Sequence, residues 1–321
     1  VLLLALGIVF PVAVLVAGLV LLILSSDKAV EHSVFFASAL GFSPLIIGLV
    51  LVSIGTDLPE IYNSIVSCWS GHGDINLGDS FGSILSQITL VLGIIAVLGR
   101  GFKVKRREVL VIGAFEVLAL TLSLSVAVTG FTRVKAFLLI ATWPFFIFVI
   151  RKLLAKDITS KKRVRRQKEM HYLWHLVVAV LGFVGVAIGA IAVVQSVITL
   201  SQELGIPEFF ISFFAVGIGT SIPELVVDVT AIRKREYELA IGDIIGSCIV
   251  DATVSISIGQ LLFPTAVFVS GYQHSLPLVL YAIFASTIVI FILAARKKVD
   301  KKAGILFILL YLASFSLPFL V

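Results

Sequence analysis

Apolar runs of about 20 residues or more, separated by short polar stretches, follow one another from Val1 to Val321. An α-helix needs about 20 apolar residues to cross the hydrocarbon core of a bilayer, and on that measure the pattern predicts ten crossings. They cover 1–24, 44–70, 75–99, 109–129, 134–154, 172–200, 207–232, 239–262, 275–295 and 304–321. The first can extend as one tilted helix towards Leu40. Between the fifth and the sixth, Lys156 to Glu169 is polar and basic, with Lys161-Lys162-Arg163 and Arg165-Arg166. The chain thus divides into a five-helix unit over 1–154, a cytoplasmic basic linker over 155–171 and a second five-helix unit over 172–321. The expected fold class is an all-α polytopic membrane protein.

One apolar run is interrupted at its centre. In GLVLVSIGTDLPEIYNSIVSC (Gly48 to Cys68) the sequence Gly55-Thr56-Asp57-Leu58-Pro59 breaks the helical pattern and Glu60 follows. Ionisable groups are rare at that depth and mark ion or substrate pathways. Backbone freed by Gly and Pro is tolerated only where protein or a cavity surrounds it. The stretch recurs at an offset of 164 residues as SFFAVGIGTSIPELVVDVTAI (Ser212 to Ile232), so that Gly55, Thr56, Pro59 and Glu60 match Gly219, Thr220, Pro223 and Glu224. The register continues without a gap: Gly78, Asp79, Gly82, Ser83 and Thr89 match Gly242, Asp243, Gly246, Ser247 and Thr253. Because five is odd, the second copy must enter the membrane from the opposite side. That makes two inverted five-helix repeats, an arrangement common among secondary transporters.

Charge supplies an independent test of this topology. Lys and Arg concentrate in cytoplasmic loops, and 22 of the 25 here fall in the loops after the third, fifth, seventh and ninth helices. Both termini are therefore expected outside, with the basic loops cytoplasmic and the plasma membrane as the location. The net charge of +6 reads as a cytoplasmic rim facing anionic lipid, so no nucleic acid is needed as a partner. A composition of 59% hydrophobic and 14% charged residues, with mean hydropathy +1.14, excludes an ordinary soluble domain. Cys68 and Cys248 both lie in apolar runs and suggest neither a disulfide framework nor a zinc site. The chain opens at Val1 inside an apolar run without Met, which reads as a trimmed start.

The carboxylates converge at one depth. The midpoints of the repeated helices fall near Asp57, Thr220, Gln87 and Asp251, so Glu60, Glu224 and Asp251 share the membrane centre, with Gln87 at the position that matches Asp251. Ser83 and Gln87 share a helix face at i, i+4, as do Ser247 and Asp251. Gly78 with Gly82, and Gly242 with Gly246, have the spacing that lets helix backbones approach closely. No His or Cys lies at midplane, so the site is all oxygen and suits a hard cation. Calcium takes six to eight oxygens, including bidentate carboxylates and backbone carbonyls, whereas magnesium holds its water and favours tight octahedral sites.

These blocks resemble the paired alpha repeats of the calcium/cation antiporter superfamily, which includes sodium/calcium and proton/calcium exchangers. The resemblance rests on Gly55 to Glu60 and Gly219 to Glu224, paired with Gly78 to Ser83 and Gly242 to Ser247. It implies calcium held by Glu60 and Glu224, surrounded by Thr56, Thr220, Ser83, Ser247, Gln87 and Asp251, with the carbonyls of Ser53 and Gly217 as further ligands. Three departures bear on the counter-ion. Asp57 stands where sodium/calcium exchangers carry Ser, Gln87 where they carry Asn, and Asp79 and Asp243 where Asn is usual. Gly82 to Gln87 is similar to the Gly-Ser-x-Leu-Ser-Asn run of proton/calcium exchangers.

The expected function is a secondary antiporter rather than an enzyme, exchanging Ca2+ for H+ by alternating access. Glu60, Glu224, Asp251, Asp57 and Asp228 are the candidate proton-coupling groups, Na+/Ca2+ exchange is the alternative, and no cofactor is expected. Asp57 and Asp228 read equally as walls of a solvated cavity, and Asp79 and Asp243 as capping or gating residues. Glu31 and His32 suit either an access path or a snorkelling position at the interface. An intramembrane aspartyl protease built on Asp79 and Asp243 is the rival from another class. It requires the two acids side by side, whereas their helices begin on opposite sides of the membrane. Oligomeric state stays open.

Overall fold

A computed structural model of the chain describes residues 2–39, 43–99, 101–158, 172–203, 211–267, 272–296 and 298–317. Residues 159–171, most of the expected basic linker, lie outside the described residues. The protein is mostly helical. In chain order the elements are α1 (Leu2–Ala39), α2 (Pro44–Thr56), α3 (Leu58–Trp69), α4 (Gly73–Leu98), β1 (Phe102–Lys103), α5 (Arg106–Val128) and α6 (Arg133–Ile158). Then follow α7 (Tyr172–Glu203), α8 (Ser212–Arg233), α9 (Tyr237–Leu262), α10 (Tyr272–Arg296), β2 (Lys298–Val299) and α11 (Lys301–Ser314). Among the described residues, six helices are long and apolar enough to cross a membrane, or seven with the bent pair α2 and α3 taken as one crossing. As the sequence pattern predicts, α1 runs on to Ala39 as one long helix.

Chain chemistry explains the bend. Pro59 lies in the first turn of α3 and has no N–H to bond back along α2. The two pieces meet at 43° across Asp57. The matched break at Ser221, with Pro223 behind it, is only a turn, and α8 continues through it as a single crossing. Wide π-helical turns occur at Gly48–Val52 and Ile211–Val216, and again at Ser86–Val91 and Asp251–Ser255. Their starts repeat at nearly the same offset as the motifs. Such turns concentrate at functional sites.

The two halves interlock. α2 crosses α9, and α8 crosses α4, so each interrupted helix packs on the glycine-bearing helix of the other half. A Cβ at Gly82 would stand 2.0 Å from the carbonyl oxygen of Phe213, and one at Gly246 would stand 2.8 Å from Cα of Leu49. Phe213 and Leu49 are themselves matched positions, so both crossings rely on the same missing side chain. Around this buried centre, α1 packs chiefly against α7, while α6 turns much of its surface outward with Phe137, Phe145 and Phe148 exposed.

The basic segments gather at one end of the bundle. β1 and β2 pair antiparallel, with Phe102 opposite Val299. Lys105 lies 3.4 Å from Glu238, Arg107 donates to the carbonyl of Leu153 at 2.9 Å, and Lys234 lies 2.8 Å from Asp27 on α1.

Candidate ion site

The break after α2 places Glu60 in the first turn of α3, and the matched turn places Glu224 one turn after Ser221. A carboxylate there benefits from the unpaired N–H groups at a helix start. Both side chains are buried, as are Asp57 and Asp251. Asp57, Glu60 and Asp251 each offer an oxygen within 4.8 Å of the others. Glu224 joins through Asp57, whose carboxyl faces its own, and it also lies beside the hydroxyl of Thr56.

A polar chain ties the halves together at this point. Ser83 donates to Oε1 of Glu60 at 3.0 Å and meets the hydroxyl of Ser221 at 3.1 Å. Gln87 Nε2 donates to Ser83 Oγ and to Asp251 Oδ2, each at 3.1 Å. Gln87 and Asp251 are the matched pair of the two repeats, so equivalent positions meet face to face at the centre. Thr56 meets Ser247 at 3.4 Å.

Several predicted residues sit otherwise than their motif positions suggest. Thr220 does not turn to the central acids: its hydroxyl donates to Asp79 Oδ1 at 3.0 Å, and Ser221 occupies the contact with Ser83. The carbonyl of Ser53 already accepts from Asp57 N at 2.9 Å, and that of Gly217 from Ser221 Oγ at 2.7 Å. Each takes a second donor as well, Thr56 Oγ1 at 3.3 Å for Ser53 and Ser221 N at 3.3 Å for Gly217, so both lone pairs of each carbonyl are engaged. Asp79 and Asp243 cap nothing, since both lie well inside their helices. Their partners are Asn63 and Thr220 for the first and Asp228 for the second, so they do not form a protease-like dyad. Sequence reasoning missed Ser221 and Asn63. Ser221 carried a signal, because it matches Asp57 in the repeat; Asn63 carried none.

The charge balance is the informative feature. Among the described residues, both oxygens of Asp57, both of Glu224, Oε2 of Glu60 and Oδ1 of Asp251 make no hydrogen bond. Among the described residues no Lys or Arg forms an ion pair with any of these four acids. A buried carboxylate needs a positive charge or donors. Clustered anionic oxygens, with hydroxyl, amide and carbonyl oxygens beside them, suit a hard cation of calcium's type.

Comparison with known proteins gives a consistent picture. The family profile described as sodium/calcium exchanger protein matches residues 10–152 and 174–320. Inner membrane protein YrbG of Escherichia coli (strain K12) is 29% identical over 85% of this chain and 87% of its own length. Sodium/calcium exchanger MaX1 of Methanosarcina acetivorans is 26% identical over 94% of this chain and 96% of its own. The solved sodium-calcium exchanger NCX_Mj superposes with a TM-score of 0.77 at 25% identity, covering 96% of this chain and 98% of that one.

Proposed function

The chain belongs to the sodium/calcium exchanger protein family, and from that premise we propose that it exchanges Ca2+ for H+ across a membrane. It is a cation exchanger of the antiporter type, not an enzyme. Calcium is cargo, held in this reading by Glu60 and Glu224 with Asp251, Gln87, Thr56, Ser83 and Ser247. Thr220 and the carbonyls of Ser53 and Gly217 are engaged by protein partners in this structure, so they join the set only by exchanging those hydrogen bonds for the ion.

The observation that carries the proton-coupled reading is the surplus of donorless carboxylate oxygens at Asp57, Glu60, Glu224 and Asp251. Four acids this close cannot all stay charged once a divalent ion leaves, because like charges disfavour joint ionisation. Protons entering as calcium departs neutralise the cavity, and the empty carrier can then reorient with apolar walls closed. Returning calcium favours the charged forms and expels the protons. The acids titrate as a set, with Asp228 as a further proton-coupling group. Ten crossings in two inverted repeats, with the basic end cytoplasmic and both termini outside in the plasma membrane, complete this proposal. The inversion supplies two equivalent ways for the site to open.

A second reading has its own support: MaX1 and NCX_Mj are named sodium/calcium exchangers, and sodium can occupy the same oxygens. Calcium uptake into sodium-free proteoliposomes under an imposed pH gradient, with membrane potential clamped, separates the two. Proton coupling predicts pH-driven uptake. Absence of that uptake, together with robust uptake on a sodium gradient, would leave Na+/Ca2+ exchange.

A further inference from the structure

Beyond the central acids, one pair of side chains lacks the partners its chemistry requires. Asp228 lies on α8 one turn past Glu224, and Asp243 lies in the second turn of α9; both are fully buried. Their carboxyl groups face each other within hydrogen-bonding reach. Among the described residues, none of their four oxygens receives a donor. The further charge acting on both is Glu224, which is also negative.

Two ionised carboxylates at about 4 Å repel by about 4 kcal/mol even at an effective dielectric constant near 20, and nothing here offsets that. A proton does so directly, because the acid form of one carboxyl donates to the other in a short, charge-assisted bond. We propose that Asp228 and Asp243 hold one proton between them, as a station separate from the calcium site. The part that proton plays in transport rests on the proton-coupled reading above; its presence does not.

The matched positions in the other half give the internal control. Asp79, equivalent to Asp243, accepts from Asn63 Nδ2 and from Thr220 Oγ1. Ser64, equivalent to Asp228, accepts from the backbone N–H of Gly259 at 3.1 Å. One half thus satisfies its acid with donors, whereas the other gives it a second acid. The pair also lies towards the basic end. From Asp228 to the end of α8 at Arg233 is about 7.5 Å at 1.5 Å per residue, and back to Glu224 about 6 Å. A proton arriving from the basic end therefore meets this pair before Glu224.

Infrared spectroscopy of the purified protein in H2O and D2O, at saturating calcium, tests the assignment. Calcium ionises the acids that bind it, whereas the deuterium-sensitive carboxylic-acid band held by Asp228 and Asp243 should remain. Glu116, a buried acid on α5, is another source of such a band, and a Glu116→Gln background removes it. In that background Asp228→Asn and Asp243→Asn should each abolish the remaining band, as should Asp228→Ser, which copies Ser64. A band unchanged in these variants, or no band in the Glu116→Gln protein itself, overturns the proposal even if the aspartate variants fail to fold. Loss of the band on adding sodium chloride at fixed pH also overturns it, because a metal ion would then hold the charge. Sodium-driven calcium flux with the band intact would defeat the proton-coupled reading alone, and pH-driven flux without the band would defeat this site alone.

Discussion

Asp79 and Asp243 occupy equivalent places in the two halves, yet their surroundings differ. Asp79 sits among donors on α3 and α8, while Asp243 faces another acid and has no donor among the described residues. The glutamates Glu60 and Glu224 show a milder contrast, since Ser83 donates to the first, whereas the second has the Thr56 hydroxyl beside it but no hydrogen bond among the described residues. The repeat therefore preserves the backbone devices, namely the break, the wide turns and the close crossings, while the titratable groups have diverged around them. Backbone geometry shapes a site that can open both ways. Charge, by contrast, has to be balanced only once for the whole cavity, so it need not be shared equally.

The largest expected effect tests whether the halves are equal at the core of the site. Glu60→Gln and Glu224→Gln should each lower calcium transport in vesicles by roughly 100-fold or more, because removing one member of a buried charge set costs about 3–5 kcal/mol. Near wild-type transport by either variant would remove that glutamate from the site. Next come the crossings. Gly82→Ala should lower folding stability by about 2–3 kcal/mol, and Gly246→Ala by less, since the first forces a Cβ onto a carbonyl and the second onto Cα at greater distance. Thermal unfolding in detergent measures both, and equal shifts would mean the two crossings relax alike. Asp251→Asn should weaken calcium affinity about tenfold, or 1.4 kcal/mol, because Asp57 and Glu60 remain beside it. Isothermal titration reads this, and an effect as large as that of the glutamines would make the acids equivalent. The smallest change is expected at Asn63. Asn63→Ala removes one donor of two from Asp79 and should cost about 1 kcal/mol of stability with calcium affinity little altered; a large loss of affinity would draw Asp79 into the ion site.

Much of this was legible because a constant offset is a stronger signal than any single motif. The break at Asp57, the depth shared by Glu60, Glu224 and Asp251, and the contact of Gln87 with Asp251 all follow from two copies in register. The rest depended on side-chain direction, which spacing does not determine near an interrupted helix. A turn that ends a helix can aim its residues in several ways, and here Ser221 rather than Thr220 reaches Ser83. Asp57 read as site or wall, and it lies within the group of three acids. The partnership of Asp228 with Asp243 was hidden for another reason: it joins positions whose counterparts, Ser64 and Asp79, have separate partners.

The wide turns have a consequence for how such a chain tolerates insertions and deletions. Each closes its hydrogen bonds over five residues where a regular turn uses four, so the extra residue is absorbed within the turn and the helix beyond keeps its facing. Deleting one residue within Gly48–Val52 would let the helix close into regular form and leave Glu60 turned towards Asp251. The regular turns on either side have no such outlet, and a deletion there would rotate Glu60 by about 100°, the angle of a single residue at 3.6 per turn. The wide turns, this one and its match at Ile211–Val216, are thus the places where these helices can change length by one residue with the ion site kept in register.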